Sequence, residues 1–121
     1  MPSVKYPETF GGAACMSTHW TLYPPQEIPD ATHPFPDAFR RYLLRHIPDP
    51  ADHRIYFDYG TTTLDSLYPP HQALMDTIMQ HAGYTTGRWI TRTFPGDPHT
   101  EQAWADRLHY PLAFLLRPEA E

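Results

Sequence analysis

Short apolar runs alternate along this chain with segments whose apolar positions recur every three or four residues. The run 10–17, Phe-Gly-Gly-Ala-Ala-Cys-Met-Ser, is small and almost continuously apolar, the pattern of a parallel strand covered on both faces. From Pro36 to His46, Phe39, Tyr42 and Leu43 fall at i, i+3 and i+4 while Arg40, Arg41 and Arg45 lie largely elsewhere, which predicts an amphipathic helix stopped by Pro48. Arg54–Tyr59 alternates, with Ile55, Phe57 and Tyr59 on one side and Tyr56 and Asp58 on the other, and ends at Gly60. Pro69 and Pro70 suit the first turn of a second helix, where a missing N–H would be unpaired anyway. Leu74, Met75, Ile78, Met79 and Ala82 mark its inner face, and Gly83 its C-terminal cap. A third strand is predicted over Trp89–Phe94, followed by the turn Pro95-Gly96-Asp97-Pro98 and then His99. Thr100 is the expected N-cap of the last helix, with Glu101 in its first turn. Pro111 should break that helix, leaving Ala103, Trp104 and Leu108 in one segment and Leu112 to Leu116 in another.

Strands alternating with helices predict an α/β fold: three parallel strands with flanking helices, right-handed crossovers and one edge left bare. The 121 residues allow one domain at most, and a domain of that size buries roughly two-thirds of its unfolded surface. An apolar fraction of 40%, with 14% aromatic residues, argues for a packed chain and against disorder. The 15 prolines are more than twice the usual ~5%, and seven of them fall between Pro24 and Pro50, predicting a long irregular connection. A formal charge of −5 provides no footing for phosphate backbones, so Arg40, Arg41 and Arg45 are read as the wet face of a helix. Neither a transmembrane run nor a leader-like N-terminus is present, and the expectation is a soluble, cytoplasmic chain without nucleic-acid or membrane partners. The single cysteine, Cys15, cannot form an internal disulfide and is read as a buried structural thiol.

In open α/β sheets, functional side chains converge in loops beyond the carboxyl ends of the strands. His99 sits five residues past a strand, between turn formers and a helix cap, and imidazole suits proton transfer near neutrality. The plainer alternative is an ordinary surface histidine. A carboxylate partner should come from the loop after the preceding strand, where it can hold one imidazole tautomer and stabilise the protonated ring. Asp65 and Asp58 compete for that role. Asp65 is favoured because a loop residue can reach inward where a strand residue is fixed to one face; helix capping and turn formation are the alternatives for the two residues. No Gly-x-Ser-x-Gly occurs, and Ser3, Ser17 and Ser66 sit in no predicted strand-to-helix elbow. Nor is there a His-Glu-x-x-His or a paired Cys motif, so no metal and no cofactor is expected.

Several segments together resemble the esterase family of α/β-hydrolases that includes esterase D-like and enterochelin esterase-like enzymes. They are the stretch 5–20, Lys-Tyr-Pro-Glu-Thr-Phe-Gly-Gly-Ala-Ala-Cys-Met-Ser-Thr-His-Trp; 56–61, Tyr-Phe-Asp-Tyr-Gly-Thr; 64–68, Leu-Asp-Ser-Leu-Tyr; and 94–101, Phe-Pro-Gly-Asp-Pro-His-Thr-Glu. The similarity runs from about Lys5 to Leu116. It implies that the chain is the C-terminal part of an α/β-hydrolase fold, a single partial domain over residues 1–121 that begins just after the nucleophile elbow. Met1 to Val4 then reads as an arbitrary start, as in a gene fragment or a misplaced start codon. The implied activity is hydrolysis of small carboxylic esters by a Ser-His-Asp mechanism, with His99 and Asp65, or Asp58, as the triad members carried here. Serine, elbow and oxyanion-hole loop would all lie upstream, so the chain alone is expected to be inactive. A rival reading keeps the fold and drops the enzyme: a degenerate, non-catalytic module that binds a protein partner, or itself, through the bare sheet edge and the aromatic loop around His19, Trp20 and Tyr23. The loop from Pro24 to Pro36 should discriminate, covering substrate in the first case and the strand edge in the second.

Overall fold

Three strands, β1 (Gly12–Met16), β2 (Arg54–Gly60) and β3 (Trp89–Phe94), form a parallel sheet in the order β1-β2-β3. The computed structural model describes residues 1–21 and 37–119. Tyr23 and the loop from Pro24 to Pro36 lie outside the described residues. Among the described residues, five α-helices accompany the strands: α1 (Pro2–Lys5), α2 (Asp37–His46), α3 (Pro69–His81), α4 (Glu101–Arg107) and α5 (His109–Leu116). A 3₁₀ turn, Thr63–Leu67, follows β2.

β2 is the central strand, and both of its faces are covered. Ile55 and Phe57 join Trp20, Leu43, Met75, Ile78, Met79 and Tyr84 in the main core. On the opposite face Tyr56 meets Phe114 of α5, with ring centroids 6.4 Å apart. Burial on both faces explains why this strand carries large apolar residues at successive positions. The α/β architecture with parallel strands is thus the one the alternating pattern predicts.

The differences from the sequence-based boundaries have local causes. β1 starts at Gly12, later than the run from Phe10 suggests, because the amides of Thr9 and Phe10 both donate to the Tyr6 carbonyl in a turn. α2 buries only Leu43 fully; Phe39 is half-buried and Tyr42 exposed. Arg41 and Arg45 are exposed on α2, and Arg40 lies 3.7 Å from Asp37. α3 buries Met75, Ile78 and Met79 as expected, with Leu74 and Ala82 partly covered, but His71 and Gln72 are buried too. Gln72 is drawn inward because its Oε1 accepts the indole N–H of Trp20 at 3.0 Å.

Gly83 caps α3 with φ 91°, its amide donating to the Gln80 carbonyl and that of Tyr84 to Met79, the two bonds of a Schellman motif. The last helix breaks at Leu108, three residues ahead of Pro111. A proline ring collides with the carbonyl four residues back, here that of Arg107, so the chain restarts with Pro111 inside the first turn of α5. No helix among the described residues is long and apolar enough to cross a membrane.

Candidate active site

The loops after β2 and β3 lie at the carboxyl end of the sheet and are zipped together. The amides of Thr61 and Thr62 donate to the Asp97 carbonyl at 3.0 and 3.2 Å. Gly96 N–H donates to Thr61 Oγ1 at 2.7 Å, and His99 N–H to Thr63 Oγ1 at 2.8 Å. Two backbone features permit this closeness. A Cβ on Gly60 would stand 2.0 Å from the Asp97 carbonyl oxygen, and Gly96 turns with φ 90°.

The outcome is a carboxylate–imidazole pair. Asp65, fully buried in the 3₁₀ turn, presents Oδ1 to His99 Nδ1 at 2.8 Å. Its other oxygen, Oδ2, accepts the Gly60 amide and the Ser17 hydroxyl, both at 2.6 Å. With the carboxylate accepting, the proton of neutral His99 belongs on Nδ1 and the lone pair on Nε2. The His99 side chain is 25% exposed. Trp104 of α4 packs edge-on against the ring at 5.0 Å, and Tyr68 does so at 6.0 Å.

Asp58 is held elsewhere. It lies within β2, its Oδ1 accepting from Arg107 Nη2 at 3.0 Å and its Oδ2 from the Tyr56 hydroxyl at 2.8 Å. Burial lifts its pKa above the ordinary carboxylate range, and the Tyr56 and Arg107 donors offset this only in part. Of the two candidate acids, the structure brings Asp65 to His99 and leaves Asp58 in contact with Arg107.

Four further residues belong to the site. Arg107, at the end of α4, reaches Ser17 Oγ at 2.7 Å, Asp58 at 3.0 Å and Asp97 at 3.0 Å, and is 2% exposed. A signal for it exists in the sequence: Arg107 follows Ala103 by four residues and therefore shares its inner helix face. Ser17 stands just past β1, buried, with φ 47°. The Tyr68 hydroxyl lies 3.0 Å from His19 Nδ1 and 3.5 Å from His99 Nδ1. Burial first, and the Asp65 charge second, push the Tyr68 pKa well up, so its proton is retained. That proton is available to His19 Nδ1, while His19 Nε2 meets Thr21 Oγ1 at 2.8 Å. Periodicity gives no clue to the last three, because Ser17 and His19 follow β1 in an irregular segment and Tyr68 comes from the end of the 3₁₀ turn.

Cys15 faces away from this chemistry. It packs against the main core, and burial raises its thiol to about 11, which leaves little thiolate at neutral pH. Among the described residues, no group of three or more His, Cys, Asp or Glu side chains could hold a metal ion. No protein-family model, curated protein or solved structure matches the chain.

Proposed function

We propose that this chain supplies the histidine and the acid of a serine esterase of α/β-hydrolase type, acting on small carboxylic esters, with the nucleophile contributed from outside these 121 residues. The observation that carries the reading is the 2.8 Å contact between His99 Nδ1 and the buried Asp65 carboxylate, at the carboxyl end of a parallel sheet. In the proposed reaction Nε2 of His99 takes the serine proton as the hydroxyl oxygen attacks the ester carbonyl. Asp65 stabilises the imidazolium, which returns the proton to the departing alcohol; water then repeats the sequence on the acyl-enzyme. No step calls on a metal, a cofactor, a nucleic acid or a membrane, and a cytoplasmic location belongs to the same proposal.

The test begins with the DNA preceding Met1 and ends with an assay. An in-frame Gly-x-Ser-x-Gly upstream, and turnover of a short-chain aryl ester by the extended chain that falls about 10⁴-fold or more in His99→Ala, support the reading. An upstream frame without a nucleophile elbow removes it. The 121-residue chain by itself should hydrolyse the same ester no faster than His99→Ala across pH 6 to 8, because a His–Asp pair without nucleophile or oxyanion hole only assists water. Clear turnover by the 121-residue chain that is lost in His99→Ala would instead place a nucleophile within this chain.

The second reading, a non-catalytic module, is favoured by the position of β1, which has β2 as its only strand partner among the described residues. In that case the open edge takes a protein partner or a second copy of the chain.

A further inference from the structure

We infer that Arg107 and Ser17 are positioning residues for His99: the guanidinium fixes the direction of the Ser17 hydroxyl, and that hydroxyl locks Asp65 in the orientation that keeps a proton on His99 Nδ1. The functional meaning rests on the esterase reading, but the geometry and its test do not need turnover.

Hydrogen-bond direction settles the chain of influence. A guanidinium has donors only, so at 2.7 Å from Arg107 Nη2 the Ser17 oxygen must accept. Its single proton is then directed to Asp65 Oδ2, 2.6 Å away. Together with the Gly60 amide at 2.6 Å this gives Oδ2 two donors, and Oδ1 is left facing His99 Nδ1. Rotation of the carboxylate would break all of these bonds within a site where Asp65, Arg107 and Ser17 are 0%, 2% and 3% exposed. Charge acts in the same sense, since Arg107 Nη2 is 4.0 Å from Asp65 Oδ2.

Arg107 uses both ends of its fork. Nη2 serves Ser17 and Asp58, while Nη1 holds Asp97, two residues before His99. A lysine, with one nitrogen, cannot span those positions. Ser17 carries an independent mark of the same role. Its φ of 47° lies in the left-handed region, which strains a residue with a Cβ and leaves glycine unstrained. Glycine would satisfy the turn but would leave Asp65 Oδ2 and Arg107 Nη2 each short of a partner.

The experiment is histidine ¹⁵N–¹H correlation spectroscopy on the whole 121-residue chain, reading the His99 tautomer and the Nδ1 proton. In the wild type His99 is expected in the Nδ1–H form, with a downfield-shifted proton. Ser17→Gly, which relieves the backbone strain and removes the hydroxymethyl side chain, should move that proton upfield or abolish its signal and populate the Nε2–H form. Arg107→Lys should do the same, and Thr77→Ala, on the exposed face of α3, should leave the signal in place. A Ser17→Gly spectrum with the wild-type tautomer and proton shift overturns the inference, whatever Arg107→Lys does to folding. A wild type without the Nδ1–H form overturns both this inference and the triad reading. Failure of the esterase assay, with the Ser17→Gly shift observed, overturns the esterase reading alone.

Discussion

His53 faces acceptors on both ring nitrogens. Nδ1 lies 2.5 Å from Asp52 Oδ1 and 3.1 Å from the Asp49 carbonyl, and Nε2 lies 2.9 Å from the Pro7 carbonyl. A neutral imidazole can donate from one nitrogen only, so this setting suits the imidazolium. Burial disfavours the charged ring, yet the Pro7 carbonyl, the Asp52 carboxylate and the Asp49 carbonyl together outweigh it and raise the pKa above 6.5. Because the folded state holds this proton more tightly, its contribution to stability is complete below the unfolded value and fades as pH rises through the folded one. The stability lost in His53→Gln should therefore be largest in mildly acidic solution and shrink toward alkaline pH, as urea denaturation of both proteins at a series of pH values would read. A difference that grows with pH, or does not change, speaks against the protonated clasp.

At the scale of elements, what brings Asp65 and His99 together is the approach of the loops after β2 and β3, and Gly60 sets how close they come. The Asp97 carbonyl occupies the space where a side chain at position 60 would begin. Gly60→Ala should cost about 3 kcal/mol through enforced separation of the loops, as overpacking at an unyielding backbone contact does. It should also weaken the His99 Nδ1–H signal. Gly87→Ala, where the nearest atom would be 3.8 Å away on a flexible arginine, should stay within about 0.5 kcal/mol in the same urea titration. Equal midpoints for the two variants would mean that the loops do not depend on this contact. The elements themselves were largely legible, because period and capping residues are local: Thr100 accepts the Ala103 amide at 3.3 Å, and Gly83 closes α3. The 3₁₀ turn Thr63–Leu67 was not anticipated. It has no apolar period and depends on Thr63 adopting φ 52°, a conformation that the partner loop stabilises through the Thr63 hydroxyl.

At the scale of the whole molecule, β2 is covered on both faces and, among the described residues, β1 pairs with β2 alone. The Ser17 amide reaches the Asp58 carbonyl, and the Gly11 carbonyl takes the Arg54 amide, so odd-numbered positions face β2. Gly12, Ala14 and Met16 then turn their backbone groups outward, where another strand can pair. If the edge is used, sedimentation velocity should show association that increases with concentration. Ala14→Pro should reduce it, since proline deletes an outward amide and spares the β2 ladder. Association of equal strength in Ala14→Pro would locate the contact elsewhere, and a monomer at all concentrations would argue against use of this edge by a second copy.

The sequence by itself determined the class of the fold, because alternation, helical period, Gly83 and the paired prolines act through local geometry that needs no partner. It also put forward His99 by its place after a strand, with Asp65 preferred to Asp58 as the acid beside it. Only the tertiary structure shows which of the two carboxylates meets His99: Asp65 lies 2.8 Å from its Nδ1, while Asp58 is held by Arg107, which arrives from a helix 49 residues beyond it. The same holds for Ser17, 48 residues from Asp65 and 90 from Arg107. A hydrogen bond's direction and a buried ion's partner follow from where distant segments meet, and no period or local spacing in the chain encodes that meeting.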